Sequence, residues 1–225
     1  MKTAIVIGAT GLVGSALVRL LIKETQFNKI IVFTRRALSI HHEKLQEHII
    51  DFNTPQTWQH LVKGDVLLST LGTTLKQAGS KKAQFQIDYT FQLDFAQAAS
   101  ANGVPVYVLV SSASANPDSK LFYTRMKGEL EREIKKLTFQ SISILQPSLL
   151  HGKRQAERIG EKISFGLVNL FNAIGLFKKY RPIHADIVAS AMINTASKAE
   201  QGVHTYSLNK IFSLAGEMRE RGLTD

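Results

Sequence analysis

The chain has 225 residues, a formal net charge of +10, 44% apolar residues and no cysteine. Lack of cysteine excludes disulfides, thiolate metal sites and a cysteine nucleophile. The basic residues are scattered from Lys23 and Arg35 to Arg154 and Lys178 without an RNP, zinc-finger or basic-zipper pattern, so no specific nucleic-acid partner is expected and the positive field suits an anionic small molecule.

Thr3 to Ile7 is a β-branched run suited to the buried centre of a parallel sheet, and Gly8, Gly11 and Gly14 follow at once. A helix is expected from about Gly11 to Lys23 and a second strand from Lys29 to Phe33. Strand, G-x-x-G-x-x-G turn, helix and strand in this order describe a dinucleotide site. Gly8 lets the chain turn out of the strand, Gly11 clears room for a pyrophosphate, and Gly14 lets the helix lie close to the sheet, with its free N–H groups aimed at the phosphates. The second strand ends in Thr34-Arg35-Arg36. NAD-preferring folds carry an acid there for the ribose 2′-OH, whereas a guanidinium pairs with a 2′-phosphate and stacks on adenine, so NADP(H) is expected over NAD(H).

Further along, Ile49-Ile50-Asp51 reads as a third strand and Val66 to Ser69 as a fourth. Gln84 to Ala101 has helical periodicity and stops at Asn102-Gly103. Val106 to Val110 is a fifth strand, Ser119 to Leu137 a helix dense in Glu and Lys, and Ser141 to Leu145 a sixth strand closed by Gln146-Pro147. The alternation resumes with a helix from Asp186, read as its cap, to Ala199. It implies an α/β fold, a doubly wound Rossmann-like parallel sheet with helices on both faces, as a single domain over residues 1–225. The seven histidines show no metal-ligand spacing, and no metal is expected.

Residues 151–182 depart from the alternation: Lys153, Arg154, Arg158 and Lys162 precede an apolar centre, and Lys178 and Lys179 follow it. Three readings fit: a small region covering the substrate as a lid, a peripheral membrane contact through 163–177, and a buried core helix. Ser164 to Phe177 is too short to span a bilayer. With no signal-like N-terminal stretch and no transmembrane segment, a cytoplasmic protein is expected.

Tyr123 and Lys127, four apart, fall on one helix face, where an ammonium favours the phenolate of its neighbour. Ser111 and Ser112 end the fifth strand, where open α/β sheets place their ligands. The competing readings are an ordinary charged helix face and serines that merely terminate a strand.

The turn Gly8-Ala9-Thr10-Gly11-Leu12-Val13-Gly14, the strand end Ser111-Ser112 and Tyr123-x-x-x-Lys127 together resemble the short-chain dehydrogenase/reductase superfamily. With Leu71-Gly72-Thr73-Thr74, Gly128-Glu129-Leu130-Glu131, Gln146-Pro147, Arg154 and Glu157, the pattern is similar to atypical members of the Tat-interacting-protein type and their bacterial NAD(P)H-binding relatives, from Ala4 to about Leu214. The resemblance implies Tyr123 as general acid/base and Lys127 as its pKa modulator and ribose ligand. Ser112 would be the partner of the substrate oxygen, with Ser111 as the alternative. Gly8, Thr10, Gly11, Leu12, Val13, Gly14, Arg35, Arg36, Asp51, Leu71 and Gly72 would line the cofactor, with Asp51 near the adenine. Many relatives carry an Asn in a proton relay where this chain has Asp88. The activity implied is NADP(H)-dependent hydride transfer to or from a small carbonyl or alcohol, by a monomer or homodimer. A non-catalytic NADPH sensor is the alternative; epimerase or dehydratase chemistry would need a sugar-nucleotide pocket for which the C-terminal region is short.

Overall fold

The computed structural model describes residues 1–152 and 181–220, the last three of these as backbone. One sheet contains seven parallel strands: β1 (Lys2–Ile7), β2 (Phe27–Thr34), β3 (Leu45–Ile49), β4 (Val66–Ser69), β5 (Val106–Val110), β6 (Ser141–Gln146) and β9 (Gly202–Ser207). Their spatial order is β3-β2-β1-β4-β5-β6-β9. Two short strands, β7 (Leu150–His151) and β8 (Ile183–His184), pair with each other outside that sheet.

The central strands are apolar on both faces because both faces are covered. Ala4, Val6, Val32, Leu68 and Val108 point to one side, beneath α1 (Leu12–Lys23), α7 (Ala185–Lys198) and α8 (Leu208–Glu220). Ile5, Ile7, Phe33, Leu67 and Leu109 point to the other, beneath α2 (Pro55–Trp58), α5 (Phe91–Ala101) and α6 (Phe122–Ile134). The strand order reverses direction between β1 and β4, which opens a crevice beyond their C-terminal ends. This is the doubly wound Rossmann-like sheet expected from the alternation.

Several boundaries differ from the sequence reading. The third strand lies at Leu45–Ile49, earlier than Ile49-Ile50-Asp51, because a sheet edge with one neighbour tolerates Gln46, Glu47 and His48 and needs no apolar run. The helix read over Gln84 to Ala101 is composite: after α3 (Leu75–Ala78), α4 (Lys81–Phe85) passes through a π-helical turn, Gln86–Thr90, into α5. His184, not Asp186, caps α7; Asp186 lies in its first turn, 3.6 Å from Arg19 and 3.1 Å from His184 Nδ1. The seventh strand of the sheet and α8 were not foreseen.

Candidate active site

The crevice is built by backbone packed too closely for side chains. Gly8 adopts φ +82, and a Cβ on it would stand 2.6 Å from the backbone of Thr70 and Leu71 in the loop after β4. A Cβ on Gly14 would come within 2.1 Å of the Gly8 carbonyl oxygen. Gly11 donates its N–H to that same oxygen at 2.9 Å and caps α1 without a side chain, leaving the first-turn N–H groups for an anion. Thr70 Oγ1 donates to Ile7 O at 2.8 Å, tying the two loops together.

A pocket opens beside this turn, lined by the Gly8–Thr10 backbone, Phe33, Thr34, Arg35, Arg36, Phe52 and Leu71. The Thr34 hydroxyl donates to Arg36 O at 2.8 Å and accepts from Arg36 N–H at 3.3 Å, which fixes the arginine turn. Both arginines are exposed, and among the described residues neither is paired with a carboxylate. Close-packed glycines, an unspent helix start and two exposed guanidinium groups fit an anionic dinucleotide. Gly11, Leu12, Val13 and Gly14 form the helix start behind the pocket wall, and Gly72 lies just beyond Leu71.

Asp51 stands apart from the lining. Its carboxylate accepts the Asn53 N–H at 3.0 Å and the side-chain amide at 2.8 Å, bonds that hold the carboxyl below its ordinary range. Its neighbour Phe52 lines the pocket instead, set edge-on against Phe91. Phe33 and Phe52 were missed in the sequence; an aromatic residue beside each strand end was the available signal.

The two serines separate sharply. Ser111 is buried and donates to Glu131 Oε1 at 2.5 Å, while Gln146 Nε2 donates to the Glu131 carboxylate at 3.0 and 3.1 Å. Ser112 is half-buried, its hydroxyl 3.4 Å from that of Ser114. The loop that follows is tied to α6 by Asn116 N–H donating to Thr124 O at 3.1 Å. It crosses Gly128, where a Cβ would lie 2.2 Å from Pro117 N.

Tyr123 opens α6 at 40% exposure, and one turn on Lys127 is buried. Lys127 Nζ stands 3.1 Å from Asp88 Oδ1, and Asp88 Oδ2 accepts the Thr73 N–H at 2.8 Å. Burial pushes the Asp88 carboxyl above its usual range, against the pull of the Lys127 ammonium. On the α1 side of the crevice His151 and His184 meet edge-on at 5.2 Å, and a Cβ on Gly152 would touch Leu12. Among the described residues no group of three His, Cys, Asp or Glu is placed to hold a metal ion.

Residues 153–180, which carry most of the lid reading and all of the 163–177 membrane-contact reading, lie outside the described residues. Among the described residues no helix is long and apolar enough to cross a membrane.

Fold and crevice define a nucleotide-binding Rossmann protein. The chain belongs to the NAD dependent epimerase/dehydratase family, whose profile matches residues 4–211. It is 34% identical over 236 residues to "Protein FMP52, mitochondrial" of Coccidioides immitis, covering 96% of this chain and 94% of that one. The protein of the same name from Candida albicans is 33% identical over 218 residues, covering 94% of each. Among solved structures, the Bordetella bronchiseptica enzyme WbmH in complex with NAD+ superposes with a TM-score of 0.70 at 15% identity, over 100% of this chain and 82% of that one. The oxidoreductase ylbE from Lactococcus lactis gives 0.67 at 16% identity, over 97% of each chain. The relatives' names overturn the cytoplasmic expectation: proteins this similar across nearly the whole chain are named as mitochondrial.

Proposed function

We propose that the protein is an NADP(H)-dependent oxidoreductase of the short-chain dehydrogenase/reductase type, close to the Tat-interacting-protein branch, that interconverts a small carbonyl compound and its alcohol. The observation that carries this reading is the pocket in which the Gly8–Thr10 backbone meets the exposed Arg35 and Arg36. The arginines would hold the 2′-phosphate, and the α1 N-terminus the pyrophosphate. Family membership supports the dinucleotide, and the mitochondrial naming of the fungal relatives supports that compartment as the setting.

When bound, the nicotinamide supplies or accepts a hydride at the reacting carbon. In the reducing direction the Tyr123 phenol gives its proton to the substrate oxygen while the Ser112 hydroxyl donates a hydrogen bond to it. Lys127 would hold the nicotinamide ribose and supply the positive charge beside the phenol. The bond from Ser111 to Glu131 supports Ser112 over Ser111 for that role.

The test pairs turnover with binding. A panel of carbonyl compounds should support NADPH consumption by the wild type, and Tyr123→Phe should lower it by roughly 10²–10⁴-fold, the usual worth of a general acid. Turnover that survives loss of the phenol rules the mechanism out; tight NADPH binding without any consumption favours the sensor or an internally recycled cofactor. Calorimetry should show Arg35→Ala/Arg36→Ala weakening NADPH while sparing NADH. Equal weakening of both would remove the 2′-phosphate assignment.

A further inference from the structure

A buried ion pair is a poor source of stability, because desolvating two charges offsets most of their attraction. Asp88 and Lys127 nevertheless form one, at side-chain exposures of 2% and 3%. The surrounding structure is built around it. Asp88 sits in the π turn between α4 and α5, a distortion that re-aims side chains and recurs at functional sites. The turn is anchored by a buried polar ladder: Ser69 Oγ donates to Gln92 Oε1 at 2.7 Å, and Gln92 Nε2 donates to the Asp88 main-chain carbonyl at 2.7 Å. Asp88 is thereby tied to the end of β4 through its backbone, and through its carboxylate to the Thr73 N–H and the Lys127 ammonium. Gln84 adds a further tie, its Nε2 donating to Thr73 O at 3.2 Å. A Cβ on Gly72 would lie 3.3 Å from Asp88 Oδ1, so the loop backbone rests against the carboxylate.

We propose that Asp88 is a positioning residue: the π turn delivers its carboxylate to hold the Lys127 ammonium against the Gly72–Thr73 loop, so that lysine and loop face a bound dinucleotide as one unit. This rests on the dinucleotide reading of the crevice. One carboxylate oxygen fixes the loop and the other fixes the lysine, leaving the remaining ammonium hydrogens for the ribose and for Tyr123. An asparagine in the same place would keep the bond to Thr73 but not the countercharge.

The pairing is read first in the free protein. With lysine side chains isotopically labelled and the Lys127 resonance assigned by its loss in Lys127→Arg, Asp88→Asn should shift that resonance. An unmoved Lys127 signal overturns the proposal. Its consequence is read by NADPH titration of Asp88→Asn, Lys127→Met and the double variant. Loss of one charge-assisted bond should weaken NADPH roughly tenfold in the Lys127 background and have little effect once Lys127 is methionine. An equal loss in both backgrounds means that Asp88 does not act through the lysine, and overturns it. If Asp88→Asn alone does not fold, folding of the double variant reports the same coupling, and failure of both overturns it. A wild type that binds no dinucleotide would end the functional reading, while the lysine resonance would still decide whether Asp88 sets Lys127.

Discussion

Gly14 and Gly216 show how differently one residue type can be constrained. At Gly14 the obstacle is the Gly8 carbonyl, 2.1 Å from where a Cβ would sit, and backbone cannot swing aside as a side chain does. At Gly216, in α8, no described residue lies within 4 Å of the added carbon. Gly14→Ala should therefore lower stability by roughly 1–3 kcal/mol, the usual cost of overpacking, and impair dinucleotide binding. Gly216→Ala should raise stability by roughly 0.5–1 kcal/mol through helix propensity. Denaturant melts of both variants check the pair. The glycine turn was legible because its spacing is local and steric. Ser111 and Ser112 could not be told apart in the sequence, because what distinguishes them is a bond to Glu131, twenty residues away. Asp51 was singled out over Phe52 for a similar reason: Asn53 claims its carboxylate, and only the folded turn shows it.

At the level of elements, strands with two neighbours were readable and strands with one were not. β1, β4 and β5 needed apolar residues on both faces, and their composition announced them. β3 and β9 lie at the sheet edges, where Gln46, Glu47, Val203 and Thr205 face solvent wholly or in part, so their patterns resemble loops. The π turn was invisible because Phe85, Phe91 and Phe95 keep a helical rhythm through it. α8 packs Leu208, Ile211, Leu214 and Ala215 into the core it shares with α7, and polar contacts add to that docking: Asn194 Nδ2 donates to Leu214 O at 2.8 Å, and Lys198 Nζ stands 2.6 Å from Glu217 Oε2. Lys198 and Asn194 hold the Glu217 carboxyl below its ordinary value of 4.5. A lowered folded-state value means stability that is present above pH 4.5 and lost as pH falls below that, through the lowered value. Thermal melts across that range should show wild type more stable than Glu217→Gln near neutrality. The gap should close in acid, and a gap independent of pH would assign the effect to packing.

For the molecule as a whole, every residue lining the pocket comes from the C-terminal end of β2 or from the loops after β1, β2, β3 and β4, on a sheet packed on both faces. A ligand seated there adds a bridge among these loops beyond the bonds that already tie them, such as Thr70 Oγ1 to Ile7 O, and it stabilises the native state by an amount that grows with the logarithm of its affinity. At a hundredfold excess over Kd that is about 2.7 kcal/mol. For a chain of this size each kcal/mol shifts the midpoint by roughly 2–4 °C. NADPH should therefore raise the thermal midpoint by several degrees and clearly more than NADH at equal concentration. The same comparison in Arg35→Ala/Arg36→Ala should bring the two nucleotides level.

The pocket lining runs only from Gly8 to Leu71, whereas Ser112, Tyr123 and Lys127 all come later in the chain, and β9 joins the sheet by pairing Gly202 with Ser141. Synthesis proceeds from the N-terminus, so this arrangement gives the protein a chronology. The residues that line the pocket leave the ribosome before Ser112, Tyr123 and Lys127, and the outermost strand can close the sheet only once Gly202–Ser207 has been made.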